Sequence, residues 1–404
     1  MPYHVDPLHK KQNVPSFQKL WKPAEMLSPS GPPLESQGDR PLQMDFEQQL
    51  KALVYFHLEE HKSGTHLLQV LKDDEFAKNE IAHPDGIGKS SFFEAINSRG
   101  LEQMIHMFQG LQAKAQKTLP KEYSELGDLV AIDGSLIDAV LSMHWADYRK
   151  GAKKAKVHVG FDLNHSIPKK IYLTNGKGAE RPFVSLILSP GQTGVMDRGY
   201  QCHKNFDQWQ EEWKKFVCRI MASTNKTLIK SNPLKPDSIV FYDAIVLLGT
   251  PGINQTEKEL RVVGYEVDGI KYWVATNRYD LIAEQVALVY KLRWDIEKFF
   301  AWWKRHLKVY HLIARSEYGL MVQILSGLIT YLLLAIYCHN EHSEKVSIKR
   351  VRELRIKIQN EYRNLKNDPS YYNQESIKQR CAGLNHKKFS NFYEQDKFSS
   401  HAKT

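Results

Sequence analysis

Apolar positions change their period along this chain, and each change marks a different kind of element. From Phe46 to about Gln116 they recur at three- and four-residue steps: Leu50, Leu53, Val54 and Leu58, then Leu67, Leu68 and Leu71, then Phe92, Phe93 and Ile96. That spacing predicts a helical region over residues 43–118, with a turn at Ser63-Gly64. Within it, Gly88 to Arg99 reads as a capped recognition helix, with Ser90 or Ser91 as N-cap. From about residue 128 the period shortens. Leu129–Ile132, Lys156–Phe161, Lys170–Leu173, Gly194–Asp197 and Phe216–Met221 read as strands, with a helical Trp209–Lys215 before the last. Residues 224–277, rich in Val, Ile, Leu and Tyr between turn residues, predict an all-β segment. Helical spacing returns over 278–340, and a basic helical tail occupies 341–404. The Pro-rich, polar residues 1–42 read as an extended or disordered arm.

One helical stretch carries more than packing. With roughly 100° per residue, Tyr290, Arg293, Glu297 and Lys304 fall on a stripe about 60° wide. Leu292, Ile296, Phe299 and Trp303 fall on another face, so one side packs and the other offers a carboxylate, two cations and a phenol. The carboxylate suits a divalent cation, and its neighbours suit phosphate oxygens.

Charge and length narrow the partner. A net charge of +10 over 404 residues favours a polyanion, and the length suffices for two or three domains. Four cysteines without a C-x-x-C pair fit a reducing cytosol rather than a disulfide framework, and the polar N-terminus shows no signal peptide. The run Gly319–Cys338 approaches the length of a membrane span, but Gln323, Ser326 and Thr330 interrupt it, which predicts a buried helix and no membrane.

Two further carboxylates complete a pattern. Asp133 and Asp197 each end an apolar run and precede Gly134 or Arg198-Gly199, which places acidic side chains at strand ends, where ligands bind in open sheets. Three carboxylates from two strands and a helix can hold two divalent ions. His57, Glu60 and His61 match an inverted zinc-protease pattern, but no third ligand accompanies them. Arg149 to Lys156 is a basic run that reads either as a solvated loop or as a DNA-backbone contact.

These motifs together resemble a D-D-E transposase of the insertion-sequence-four family, whose signature helix reads Y-x2-R-x3-E-x6-K; Tyr290, Arg293, Glu297 and Lys304 match all four positions. The Asp133-Gly-Ser block, Asp197-Arg-Gly and the strand-rich segment before the helix extend the resemblance over roughly residues 128–340. It implies an α/β fold with an RNase H-like core split between 119–223 and 278–340, interrupted by the β insertion at 224–277. A DNA-binding helical domain would precede this core, and a tail suited to dimerisation would follow it. It also implies Asp133, Asp197 and Glu297 as catalytic metal ligands for Mg²⁺ or Mn²⁺, two ions in all. Tyr290, Arg293, Lys304 and Arg198 would contact DNA phosphates, and Trp273 would stack on a flipped base or pack across strands. The implied partners are double-stranded DNA, as inverted repeats and target, and a second copy of the chain on that DNA, in a bacterial nucleoid. A nuclease without strand transfer and a domesticated DNA-binding derivative are the rival readings.

Overall fold

The computed structural model describes residues 15–34, 42–74, 76–82, 86–149, 151–306 and 311–363. The expectations for 1–14, 35–41 and the tail beyond 363 lie outside the described residues. Five helices come first: α1 (Ser16–Glu25), α2 (Phe46–Leu58), α3 (Gly64–Asp73), α4 (Lys89–Ser98) and α5 (Leu101–Thr118). Then follow β1 (Leu129–Asp138), β2 (Lys154–Asp162), β3 (Ile167–Asn175), α6 (Phe183–Ile187), β4 (Thr193–Met196), α7 (His203–Glu211) and β5 (Lys215–Arg219). Four more strands, β6 (Lys226–Ser231), β7 (Val240–Leu248), β8 (Leu260–Val267) and β9 (Ile270–Thr276), lead into α8 (Ala283–Leu292), α9 (Trp294–His306), α10 (Glu317–His342) and α11 (Ile348–Arg363).

Among the described residues, nine strands form one sheet in the order β3-β2-β1-β4-β5-β9-β8-β7-β6. The pairs β1–β4 and β4–β5 are parallel, while β2 and β3 continue antiparallel from β1. The all-β segment extends this sheet, because β9 runs antiparallel beside β5. A buried ion pair, Arg261 Nη2 to Asp243 Oδ2 at 2.7 Å, ties β7 to β8.

Side chains alternate across the sheet and feed two apolar layers. Leu129, Ala131, Val195 and Val217 face one layer with α8, α9, α10 and the N-terminal helices; Val130, Ile132, Met196 and Cys218 face the other with α6 and α7. The first layer runs without a break from Phe17 to Ile358, so the N-terminal helices share their core with the sheet. Helix α10 is the reason. It touches α1, α2, α4, α5 and β3, and 89% of its most apolar window is buried within the protein, although by length and composition it could cross a membrane. Its polar residues are satisfied: Gln323 Oε1 accepts the Ile313 and Ala314 amides, Thr330 Oγ1 donates to the Ser326 carbonyl, and Ser326 Oγ lies 3.0 Å from His57 Nε2.

Several expectations need correction. The arm is not wholly extended: α1 docks through Phe17, Leu20, Trp21 and Ala24, an i, i+3, i+4, i+7 face that the surrounding prolines obscured. Gly88, not a serine, is the N-cap of α4, and Ser91 Oγ donates instead to Gln43 Oε1. Helix α7 lies six residues earlier than expected, at His203 rather than Trp209. Gly134 makes no turn; β1 continues to Asp138 because β2 carries the ladder on after β4 has ended. His57 faces α10 while His61 pairs with His66, Nδ1 to Nδ1 at 3.2 Å, so the protease-like pattern does not converge.

Candidate active site

The two aspartates meet through strand register. Strand β1 pairs with β4 at Leu129↔Thr193, Val130↔Gly194 and Ala131↔Val195, an offset of 64 residues. Asp133 and Asp197 are separated by the same offset, so continuing the register two residues sets one beside the other. Alternation puts both on the face of Ala131 and Val195, toward α8 and α9. Asp133 Oδ1 accepts the Gly134 amide at 2.8 Å; Asp197 Oδ1 accepts the Gly199 amide at 2.8 Å and caps the short 3₁₀ turn Arg198–Tyr200. Burial pushes the Asp133 carboxyl up to about 7, and the Asp197 charge pushes the same way against the Gly134 hydrogen bond and Arg293.

The third acidic residue comes from the junction of α8 and α9. Helix α8 ends at Leu292, and Arg293 joins the helices through i→i+3 hydrogen bonds (Arg293 N to Tyr290 O, 3.1 Å; Ile296 N to Arg293 O, 3.2 Å). The expected single helix is therefore two, because the helix tightens for one turn at Arg293. Arg293 Nη1 meets Glu297 Oε1 at 2.7 Å, and the guanidinium carbon lies 5.7 Å from the Tyr290 ring and 5.3 Å from the Trp294 ring. Arg293 is 7% exposed and its Nε has no partner. Its charge reaches both Asp133 and Glu297, which makes it the link between the strand carboxylates and the helix carboxylate.

The remaining expected contacts divide. Tyr290 is 2% exposed, and its ring packs against the Arg293 guanidinium. Lys304 Nζ donates to the Leu136 carbonyl at 2.7 Å, tying α9 to β1, and burial lowers its pKa. Phe299 packs on Phe161 of β2 at 4.9 Å and stacks on Trp303, fixing the same helix over the sheet. Arg198 is exposed beside Asp197. Trp273 pairs across strands with Gly264, touches Phe241 and Tyr242, and lies under Lys226 Nζ at 4.4 Å. In the basic run, Lys153, Lys154 and Lys156 pair with Asp147, Asp138 and Glu180, so much of its charge is already compensated.

Among the described residues no three His, Cys, Asp or Glu side chains converge tightly enough to hold one ion. The donor chemistry nevertheless suits a hard divalent cation. The Asp133 carboxyl is largely desolvated beside a second negative charge, and Arg293 is the nearby cation. Excess carboxylate charge of this kind is what oxygen-ligated metals neutralise. Sequence reasoning overlooked Glu180 and Tyr200, which belong to the same electrostatic neighbourhood; Tyr200 lies three residues beyond Asp197, whereas a lone Glu in a loop carries no periodic signal.

The chain is 29% identical over 207 residues to a Geobacillus stearothermophilus protein named as transposase for insertion sequence element IS5377, covering 50% of this chain and 55% of that protein. It is 25% identical over 276 residues to a Synechocystis protein named as transposase for insertion sequence element IS4SA, covering 66% and 76%. A Sinorhizobium fredii protein named as a transposase is 27% identical over 199 residues, covering 48% and 56%. The chain thus spans little more than half the length of the first and third relatives. Residues 125–333 match the transposase DDE domain, a segment that holds both aspartates, the β6–β9 strands and Glu297. The chain belongs to the family of transposase DDE domains.

Proposed function

We propose that this chain is a transposase of the insertion-sequence-four type, which binds the inverted ends of its element, cuts them and joins them to target DNA. The observation that carries the reading is the shared 64-residue offset, which brings Asp133 beside Asp197, with Glu297 linked to them through Arg293. The order β3-β2-β1-β4-β5, with β4 and β5 parallel to β1, supports an RNase H-like core, to which β6–β9 are an insertion.

In this reading Asp133, Asp197 and Glu297 hold Mg²⁺ or Mn²⁺. Bound divalent ions would supply activation of the attacking oxygen and neutralisation of the leaving one. Water attacks the phosphodiester at the element end, an O–P bond forms as the bond to the 3′-oxygen breaks, and the freed 3′-hydroxyl takes up a proton. That hydroxyl then attacks a target phosphodiester, forming one ester bond as another breaks. Arg293, released in part from Glu297, counters phosphate charge, with Tyr290 holding its plane. Arg198 grips the backbone from the exposed turn, and Lys304 holds the helix against β1. The helices of residues 43–118 take part in end recognition, the tail in pairing two copies on DNA, and the protein works in the cytoplasm on the nucleoid, not at a membrane.

Joining separates this function from simple cutting. Purified chain incubated with Mg²⁺, a duplex ending in the element's inverted repeat with a free 3′-hydroxyl, and a target plasmid is expected to give covalently joined products. Nicked plasmid with no joined product would reduce the activity to that of a nuclease.

A further inference from the structure

Beneath the strand that carries Asp133 lies a second charged group. Glu180, in the loop before α6, reaches the Cα of Gly134; a Cβ built there would sit 2.8 Å from Glu180 Oε1. Glycine at 134 thus leaves room for a carboxylate against the backbone next to Asp133. Lys156 of β2 holds that carboxylate at 3.0 Å and donates to the Gly178 carbonyl at 2.9 Å. The next residue, Arg181, donates through Nε to the Gly199 carbonyl at 3.0 Å, so one loop touches a glycine that follows each aspartate.

Tyr200 shares the electrostatic neighbourhood of this group. It is 1% exposed, packed among Val184, Phe206 and Phe216, and its hydroxyl has no hydrogen-bond partner. Besides burial, the charges that act on it most strongly are, in order, Glu180, Asp133 and Asp197. A buried hydroxyl without a partner is costly.

Resting on the metal-site reading above, we propose that Glu180 and Tyr200 are positioning residues of the carboxylate site. Glu180, tempered by Lys156, sets the charge that Asp133 and Asp197 present to a divalent cation, and the Tyr200 hydroxyl steadies a carboxylate oxygen when that cation draws the group together. Glu180 acts from the opposite side of β1 and is not itself a ligand.

Titration of the full chain with Mn²⁺ alone, followed by the loss of the free-ion paramagnetic signal, tests this without DNA or turnover. Glu180→Gln and Tyr200→Phe are each expected to weaken Mn²⁺ binding about tenfold. Lys156→Met, which leaves Glu180 untempered, is expected to strengthen it about threefold. Thermal melts in chelator supply a second readout. Tyr200→Phe is expected to melt at or above the wild-type temperature, because it removes an unpartnered buried hydroxyl, while still losing metal affinity. If Asp133→Asn abolishes binding but Glu180→Gln and Tyr200→Phe bind like the wild type, this inference fails and the site stands. If Lys156→Met and Glu180→Gln weaken binding equally, the pair is structural only and the inference also fails. A wild-type chain that binds no Mn²⁺, or an Asp133→Asn chain that binds it normally, overturns the site itself.

Discussion

Arg293 holds the site's parts in one geometry. Its guanidinium sits between two aromatic rings, meets Glu297 and carries charge to Asp133. Lysine at this position would keep the charge but lose the flat face that packs against Tyr290 and Trp294. Arg293→Lys is therefore expected to lower stability by about 1–3 kcal/mol in urea unfolding and to slow cleavage about 10–100-fold. Cleavage at the wild-type rate would remove Arg293 from the site. Much at this scale was legible from the chain, because an acidic residue closing an apolar run and a Y-R-E-K spacing are local signals. Glu180 was not legible. Its role comes from a loop folding back over Gly134, a contact 46 residues away in sequence that no periodicity records. The burial of Tyr290 depends on Tyr272 of β9 and on the packing of α8, which the helical wheel alone does not contain.

At the scale of elements, α9 is set by its aromatic face. Trp303 is fully buried, stacks with Phe299 and lies one residue from Lys304, whose ammonium holds the Leu136 carbonyl of β1. Trp303→Ala is expected to cost about 3–5 kcal/mol by denaturant unfolding and to reduce cleavage more than that loss of stability explains, because Glu297 rides on the same helix. Cleavage unchanged in the folded variant would show that α9 does not fix the site. The period-two and period-3.6 patterns revealed most elements, since they reflect burial of one face. They missed α1, where Pro15 and Pro23 flank or interrupt a four-residue apolar face, and they could not show that β9 pairs with β5, because strand partners are chosen by long-range packing.

Among the described residues, one of the two apolar layers runs without a break from the N-terminal helices through α10 to the sheet. End recognition and catalysis would thus be mechanically coupled, an arrangement the division at residue 118 did not anticipate. Two buried histidines lie in or beside this framework. Burial holds His61 and His158 down to about 4, well below the ordinary value near 6.5. Their folded forms bind protons less readily than the unfolded chain does. The stability tied to their neutrality is complete above about pH 6.5 and is lost as pH falls toward 4. Urea midpoints at pH 7.5, 6 and 5 are expected to fall progressively, and less steeply in His61→Gln and His158→Gln; an equal slope in the variants would contradict this origin.

The central claim is that Asp133, Asp197 and Glu297 act together as one metal-dependent cutting site. Single-turnover cleavage of an end-bearing duplex in Mg²⁺ or Mn²⁺, with each residue replaced in turn by Asn or Gln and folding checked by thermal melts, tests it most directly. Each folded variant is expected to lose cleavage by about 10³-fold or more, and chelator to abolish it in the wild type. A folded variant that still cuts within about tenfold of the wild type would contradict the site.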